Sequence, residues 1–441
     1  MKKRLFMFAT AALMLTACSN DSEVAVNDVA QQSGPNAVMF DTYTASATKA
    51  YSTGVMTTEL LGDPGFGVFA YHNAGTASDA GSYAYSVGPN FMYDQQVTYG
   101  TAWTYSPLKY WPNETEKDML SVTGAAESRD KTDVLSFFAY APYVASATST
   151  TPGTTPGINS MMANTVTDAD PWVQYTVSTV PSASVDLVWG VAPSGGLDYT
   201  AVNNANIHVN QGLPLKNLVK PSKDQKIKFL FQHALARIGM TVVAAVDQIA
   251  PGGTLDTNTK IFVNSVTLAD AAATATIPTY AKLNLNNTSA GVASWFEPNT
   301  STRFTTTIDN TNLNADLQAT AGTGVTTSEK KVIAQVGGKD QYLMLIPTPG
   351  VIGEFNVTID YDVVTTDPAL NGGKSTVNNV ITKKITLNTP STFSPGVAGF
   401  MNNKAYNLKL ILGMTSVKLE AEVADWEVNG STNVDLPRNE E

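Results

Sequence analysis

A chain of 441 residues with 43% hydrophobic and 15% charged residues and a net charge of −11 is long enough for two or more domains with substantial cores. Its acidic balance and sparse basic residues argue against nucleic acid as a partner. Cys18 is the single cysteine, so no intrachain disulfide is available, and none of the three histidines, His72, His208 and His233, has a His or Cys at zinc-ligand spacing.

The chain opens on Met1, Lys2, Lys3 and Arg4, followed by an apolar run from Leu5 to Ala17. A basic start, a short apolar stretch and small residues before a cut site predict a secretory signal over residues 1–18. The run is shorter than the roughly 20 apolar residues that span a bilayer. Its last residues, Leu15-Thr16-Ala17-Cys18, resemble the bacterial lipobox. There the cysteine becomes the lipid-modified first residue of the mature protein. The alternative is an ordinary signal with an incidental cysteine. Residues 19–35 are polar, carry Asp21 and Glu23 close behind Cys18, and read as a flexible tether.

From Ala37 onward the signal is strand after strand. In AVMFDTY, Val38, Phe40 and Thr42 alternate onto one face, and FGVFAYH (Phe66 to His72) follows a Gly-Asp-Pro-Gly turn. LSFFAYAPY, WVQYTV and VDLVWGVA come next, each bounded by Pro or Gly. SATSTTPGTTPGINS reads as a surface loop. Ile227, Phe229 and Phe231 alternate, a single helical turn is expected over Gln232 to Arg237, and strand resumes at GMTVVAAV. Five further strand-like segments lead to SVKLEAEV, where Val417, Leu419, Ala421 and Val423 keep strict period two. Short runs separated by turn residues predict an all-β chain of sandwich domains. The one composition break, Asn210 to Gln225, suggests an N-terminal sandwich over 36–218 and a C-terminal sandwich with a tail over 219–441.

No enzymatic chemistry is legible. There is no Gly-x-Ser-x-Gly elbow and no phosphate loop, and no cofactor or metal is called for. His233, between Phe231 and Leu235, reads as a hydrogen-bonded structural histidine. Asp360 and Asp362 share one strand face and read as solvated carboxylates rather than half of a metal or acid pair. Carboxylates from distant strands, as in glycosidases, are not visible to a sequence scan. The aromatic stretch TAWTYSPLKYWP, with Trp103, Tyr105, Tyr110 and Trp111, reads as core packing ahead of a sugar platform.

Several segments together, FGVFAYH, PNFMYDQQVTY, WTYSPLKYWPN, LSFFAYAPY, FQHALARI and the closing VKLEAEVADWEV, resemble the fimbrillin-like pilins and surface lipoproteins of Bacteroides and its relatives. The resemblance runs in order over nearly the whole mature chain. It implies two transthyretin-like β-sandwich domains in tandem and an outer-membrane, cell-surface precursor anchored by lipid on Cys18. It implies cleavage by a processing protease after the first strand, and assembly with other copies or related pilins into a fimbria. A strand from the next subunit then replaces the lost one, supporting adhesion to an unidentified host or bacterial ligand. On that pattern Val38 and Phe40 belong to the displaced strand. Lys49 is the first basic residue after Arg4 and takes the cleavage position; the family more often has Arg there, and a plain surface lysine is the alternative. The tail offers Val428, Val434 and Leu436 as a donor strand, interrupted by Gly430 and Pro437. A pilus-tip subunit or a stand-alone glycan-binding lipoprotein are the alternatives.

Overall fold

The computed structural model describes residues 37–425, less 45–60, 63, 75–87, 112–132, 146–152, 154, 168, 194–196, 201–205, 210–211, 219–225, 246–254, 256, 273–274, 337–339, 349–353, 387–398 and 415–416. Cys18, Lys49, Val428, Val434 and Leu436 lie outside the described residues.

The strands of the N-terminal half are β1 (Phe40–Thr44), β2 (Phe66–Ala74), β3 (Met92–Tyr99), β4 (Trp103–Thr104), β5 (Asp133–Ala141), β6 (Gly157–Met161), β7 (Trp172–Thr176), β8 (Val188–Val191), β9 (Leu197–Thr200), β10 (Asn206–Val209), β11 (Leu215–Leu218) and β12 (Ile227–His233). Those of the C-terminal half are β13 (Ala236–Ala244), β14 (Thr259–Asp270), β15 (Tyr280–Asn284), β16 (Ser294–Phe296), β17 (Thr305–Ile308), β18 (Lys330–Lys331), β19 (Leu343–Leu345), β20 (Glu354–Thr366), β21 (Lys374–Thr386), β22 (Lys404–Leu412) and β23 (Val417–Asp425). Two short 3₁₀ turns, Pro181–Ala183 and Ala315–Leu317, and one α-helical residue, Leu61, are the helical pieces among the described residues. The chain is all-β, and no helix among those residues is long and apolar enough to cross a membrane.

The first sheet has eight strands in the order β1-β12-β8-β5-β2-β3-β4, with β11 also paired to β5. Both of its faces are covered, which explains the near-continuous apolar runs of β2 and β5. On one face Val68, Phe137, Val188 and Phe229 form a core with Val38, Phe40, Tyr105 and Trp111. On the other, Phe69, Phe138, Trp189 and Leu230 pack into a larger core with Val173, Tyr175 and Leu283. Those last residues come from a four-stranded sheet, β16-β15-β7-β6. It joins strands of both halves through the β7–β15 ladder.

The C-terminal strands form two further sheets. One runs β18-β13-β22-β23, with β19 also on β13, and the other β17-β14-β20-β21. Their facing sides carry Met240, Leu408 and Leu410, and Val263, Ile359 and Tyr361, in the same buried core. Period two in β20 and β23 follows from one face looking inward and the other toward water.

Although β12 follows the polar break at 210–225, its hydrogen bonds lie with the first sheet. The chain crosses to the C-terminal sheets at Ala234 and Leu235, between β12 and β13. The expected helical turn over 232–237 is absent. Ala234 donates its N–H to the Leu187 carbonyl at 2.8 Å, and its own carbonyl accepts from the Trp295 indole at 3.2 Å. Tertiary partners satisfy the backbone there, and a helical turn has no groups left to join.

Candidate functional site: the seat of the first strand

Residues 37–44 precede every other described strand and sit at the rim of the first sheet. β1 pairs in parallel with β12, in the register Phe40 to Ile227, Thr42 to Phe229 and Thr44 to Phe231. Ile227 donates its N–H to the Met39 carbonyl at 2.8 Å. Just upstream the backbone turns to a second partner. Val38 donates its N–H to the Lys109 carbonyl at 3.0 Å, and Ala37 makes an antiparallel bridge to Tyr110. The segment is held on one side by β12 and on the other by residues 105–110.

The side chains explain why it stays. Val38 is 0% and Phe40 2% exposed. Burial of each stabilises by about 1.5–3 kcal/mol. The Phe40 ring stacks on Phe229 at 6.0 Å and 17°, and meets Phe66, Phe137 and Tyr105 edge-on at 6.1, 5.9 and 5.5 Å. Such pairs contribute about 0.5–1.5 kcal/mol beyond area alone. Trp111 packs edge-on against Phe137 from behind.

Tyr105 holds the backbone. Its hydroxyl donates to the Val38 carbonyl at 2.8 Å and accepts from the Lys109 N–H at 3.2 Å. Burial pushes its phenol up to about 12, the backbone contact at Lys109 opposes this, and the nearby Tyr110 adds to it. The hydroxyl therefore remains a donor throughout the neutral range.

The alternation of Val38, Phe40 and Thr42 is present as expected, with all three side chains buried. The aromatic stretch packs into the core at two of its four positions, as its sequence suggested; that it grips the first strand was not foreseen. Tyr105 and Trp111 are core residues, Tyr110 is 51% exposed and Trp103 is half-buried. Four separated aromatic positions therefore make no open platform, and two of them line the seat. Their spacing, Tyr105 and Trp111 flanking the Pro107 turn, was the available signal.

The other singled-out residues lie elsewhere. His233 is buried, with Nδ1 at 2.7 Å from Asp186 Oδ2, a partnered structural histidine. His72 is on β2 of the first sheet and His208 on β10, which pairs with β9 in a separate two-stranded sheet. Asp360 and Asp362 lie on one face of β20. Asn378 donates to both at 2.8 and 2.9 Å, and Asn264 donates to Asp360 at 3.0 Å. Among the described residues no group of three or more His, Cys, Asp or Glu could hold a metal ion.

Neither a family model nor a curated protein matches the sequence. Solved structures do. A fimbrial protein from Bacteroides vulgatus is similar over 89% of this chain and 100% of its own, with 21% identity and a TM-score of 0.53. A protein from Bacteroides uniformis, assigned provisionally to cell adhesion, covers 89% of this chain and 98% of its own at 13% identity and a TM-score of 0.36. One from Bacteroides ovatus with the same assignment covers 90% and 99% at 12% identity, also with a TM-score of 0.36. The first of these shares the fold.

Proposed function

We propose that this chain is a fimbrillin-like structural subunit of a cell-surface fimbria. It is exported as a lipoprotein through Cys18, reaches the outer membrane, and is cut after Lys49. It then assembles with other copies by strand exchange and supports adhesion. The observation that carries this reading is the seat of β1: a rim strand, earlier in the chain than any other described strand, whose Val38 and Phe40 plug an aromatic core. The fold shared with a fimbrial protein supports it. Tandem sandwich units are part of the same proposal, with β12, beyond the boundary expected near residue 218, belonging to the first sheet.

Removing residues 37–44 exposes Phe66, Phe137 and Phe229 and strips the outer partner from β12. A vacated groove of that kind gains apolar burial and main-chain hydrogen bonds together when another strand fills it. Uncut protein keeps its own strand at high effective concentration and stays monomeric. The donor is the tail of a neighbour, with Val428, Val434 and Leu436 as its apolar residues.

The test is digestion of purified precursor with a Lys-directed protease, followed by a denaturing gel without boiling. Ladders are expected from wild type and none from Lys49→Ala. A chain ending at Trp426 is expected to be cut but to form no ladder. Cut wild-type protein that stays monomeric overturns the shaft-subunit reading in favour of a tip or stand-alone adhesin. A laddering Lys49→Ala protein moves the cleavage site.

A further inference from the structure

Away from the β1 seat, a groove of about 400 Å³ runs beside β16, between the sheet shared by the two halves and the segment that follows β19. Its lining contains no charged residue. Trp295 and three prolines supply the apolar part, and the polar part is hydroxyl: Thr288, Ser289, Ser294 and Thr348. Grooves of about 300–1,000 Å³ with an aromatic wall and a few convergent polar groups are typical of small-molecule sites.

The walls are fixed from both sides. Trp295 donates its indole N–H to the Ala234 carbonyl at 3.2 Å, and its ring meets Tyr175 edge-on at 6.4 Å. Ala293 donates its N–H to Asn402 Oδ1 at 3.3 Å, and Thr348 donates its own to the Phe400 carbonyl at 2.9 Å. A site held this way loses little freedom on binding. Thr288 and Ser289 are exposed and Ser294 is half-buried, so the groove presents hydroxyl-bearing side chains that a ligand can reach.

The geometry points to a binding site for a neutral saccharide. Serine and threonine hydroxyls both donate and accept, matching sugar hydroxyls that do the same. The indole offers an apolar surface to the C–H groups of a pyranose ring. A charged glycan finds no counter-ion in the lining, and a purely apolar ligand would cover the hydroxyls of Thr288, Ser289 and Ser294 without pairing them. The site is distinct from the seat of β1, so binding is independent of cleavage and strand exchange.

The probe is an array of neutral and sialylated oligosaccharides, read with uncut full-length protein and followed by titration calorimetry on the best neutral glycan. Ser294→Ala removes a half-buried hydroxyl of the lining. Val292→Trp, at a groove-lining position 38% exposed, fills the groove without removing a core contact. Neutral glycans are expected to bind wild type, and both variants to weaken binding by at least about tenfold at an unchanged melting temperature. The inference is overturned by an array without neutral binders or by full-strength binding in both variants. Preference for sialylated glycans overturns it as well. So does occupation of the groove by a proline-rich peptide, read by Val292→Trp blocking the peptide and not the glycan. Because uncut protein is used, a negative array leaves the fimbrial reading standing, and failed polymerisation leaves the groove standing.

Discussion

The hydroxyl of Tyr105 donates a 2.8 Å hydrogen bond to the backbone carbonyl of Val38, tying the aromatic stretch before Trp111 to the strand that closes the first sheet. The same hydroxyl accepts from Lys109, so one side chain organises both the turn and the strand it grips.

Tyr105→Phe keeps the ring and leaves the Val38 carbonyl and the Lys109 N–H without this partner. The expected loss is about 1–3 kcal/mol, measured by denaturant unfolding of uncut protein. Faster amide exchange at Val38 and Phe40 should accompany it. Unchanged exchange there would mean that the hydroxyl does not hold the strand.

Phe40→Ala empties the centre of the seat and should cost about 3–5 kcal/mol in the protein that retains residues 37–44. Thermal unfolding of the uncut protein tests the point, and a variant that melts with wild type would mean that Phe40 does not plug the seat.

Gly190 on β8 lies beneath Phe229. A Cβ placed there would stand 2.7 Å from the Phe229 ring and 3.0 Å from Ala139 Cβ. Gly190→Ala therefore pushes the ring on which Phe40 stacks, at an expected cost of about 1–3 kcal/mol. Loss of the Phe40–Phe229 contact in a crystal structure of the variant, with β5 and β8 still paired, is the expected result. A variant as stable as wild type contradicts the packing described.

Alkaline pH should unfold the protein cooperatively. Burial pushes the phenols of Tyr105 and Tyr406 up to about 12. Burial, reinforced by the nearby Asp170, Asp94 and Asp186, pushes Tyr71, Tyr140 and Tyr175 higher still. Unfolded phenols ionise near 10. The stability these groups confer is thus complete below about pH 10 and is lost as pH rises through about 12, by roughly 1 kcal/mol per pH unit for each phenol. Phenolate absorbance and loss of strand signal should rise together. Ionisation of these tyrosines near pH 10 in protein that remains folded would refute it.

Period-two patterns made the strands legible. Val38-Phe40-Thr42 and Ile227-Phe229-Phe231 are buried, and of Val417-Leu419-Ala421-Val423 the first is buried and the others half-buried against the core. What alternation cannot encode is which strand lies beside which. The parallel pairing of β1 with β12 joins residues far apart in the chain, and the β7–β15 ladder joins the two halves. Neither leaves a local trace. The turn expected over 232–237 failed for the same reason, since its backbone partners, Leu187 and Trp295, are distant. The grip of Tyr105 on Val38 was hidden too, because a phenol reads alike whether its hydroxyl meets water or a carbonyl.

The parallel ladder between Phe40–Thr44 and Ile227–Phe231 also sets an order of events during synthesis. The ribosome makes Phe40 nearly two hundred residues before Ile227, a wait on the order of 10–40 s at about 5–20 residues per second. Until then Phe40 has no β12 to lie against, and β2, β5 and β8 can pair without it. Within the first sheet, the earliest described strand is therefore docked last. Because it lies along the rim of that sheet, drawing it out again breaks its ladder to β12 and the contacts of Ala37 and Val38 with residues 105–110, and leaves the other ladders of the sheet in place.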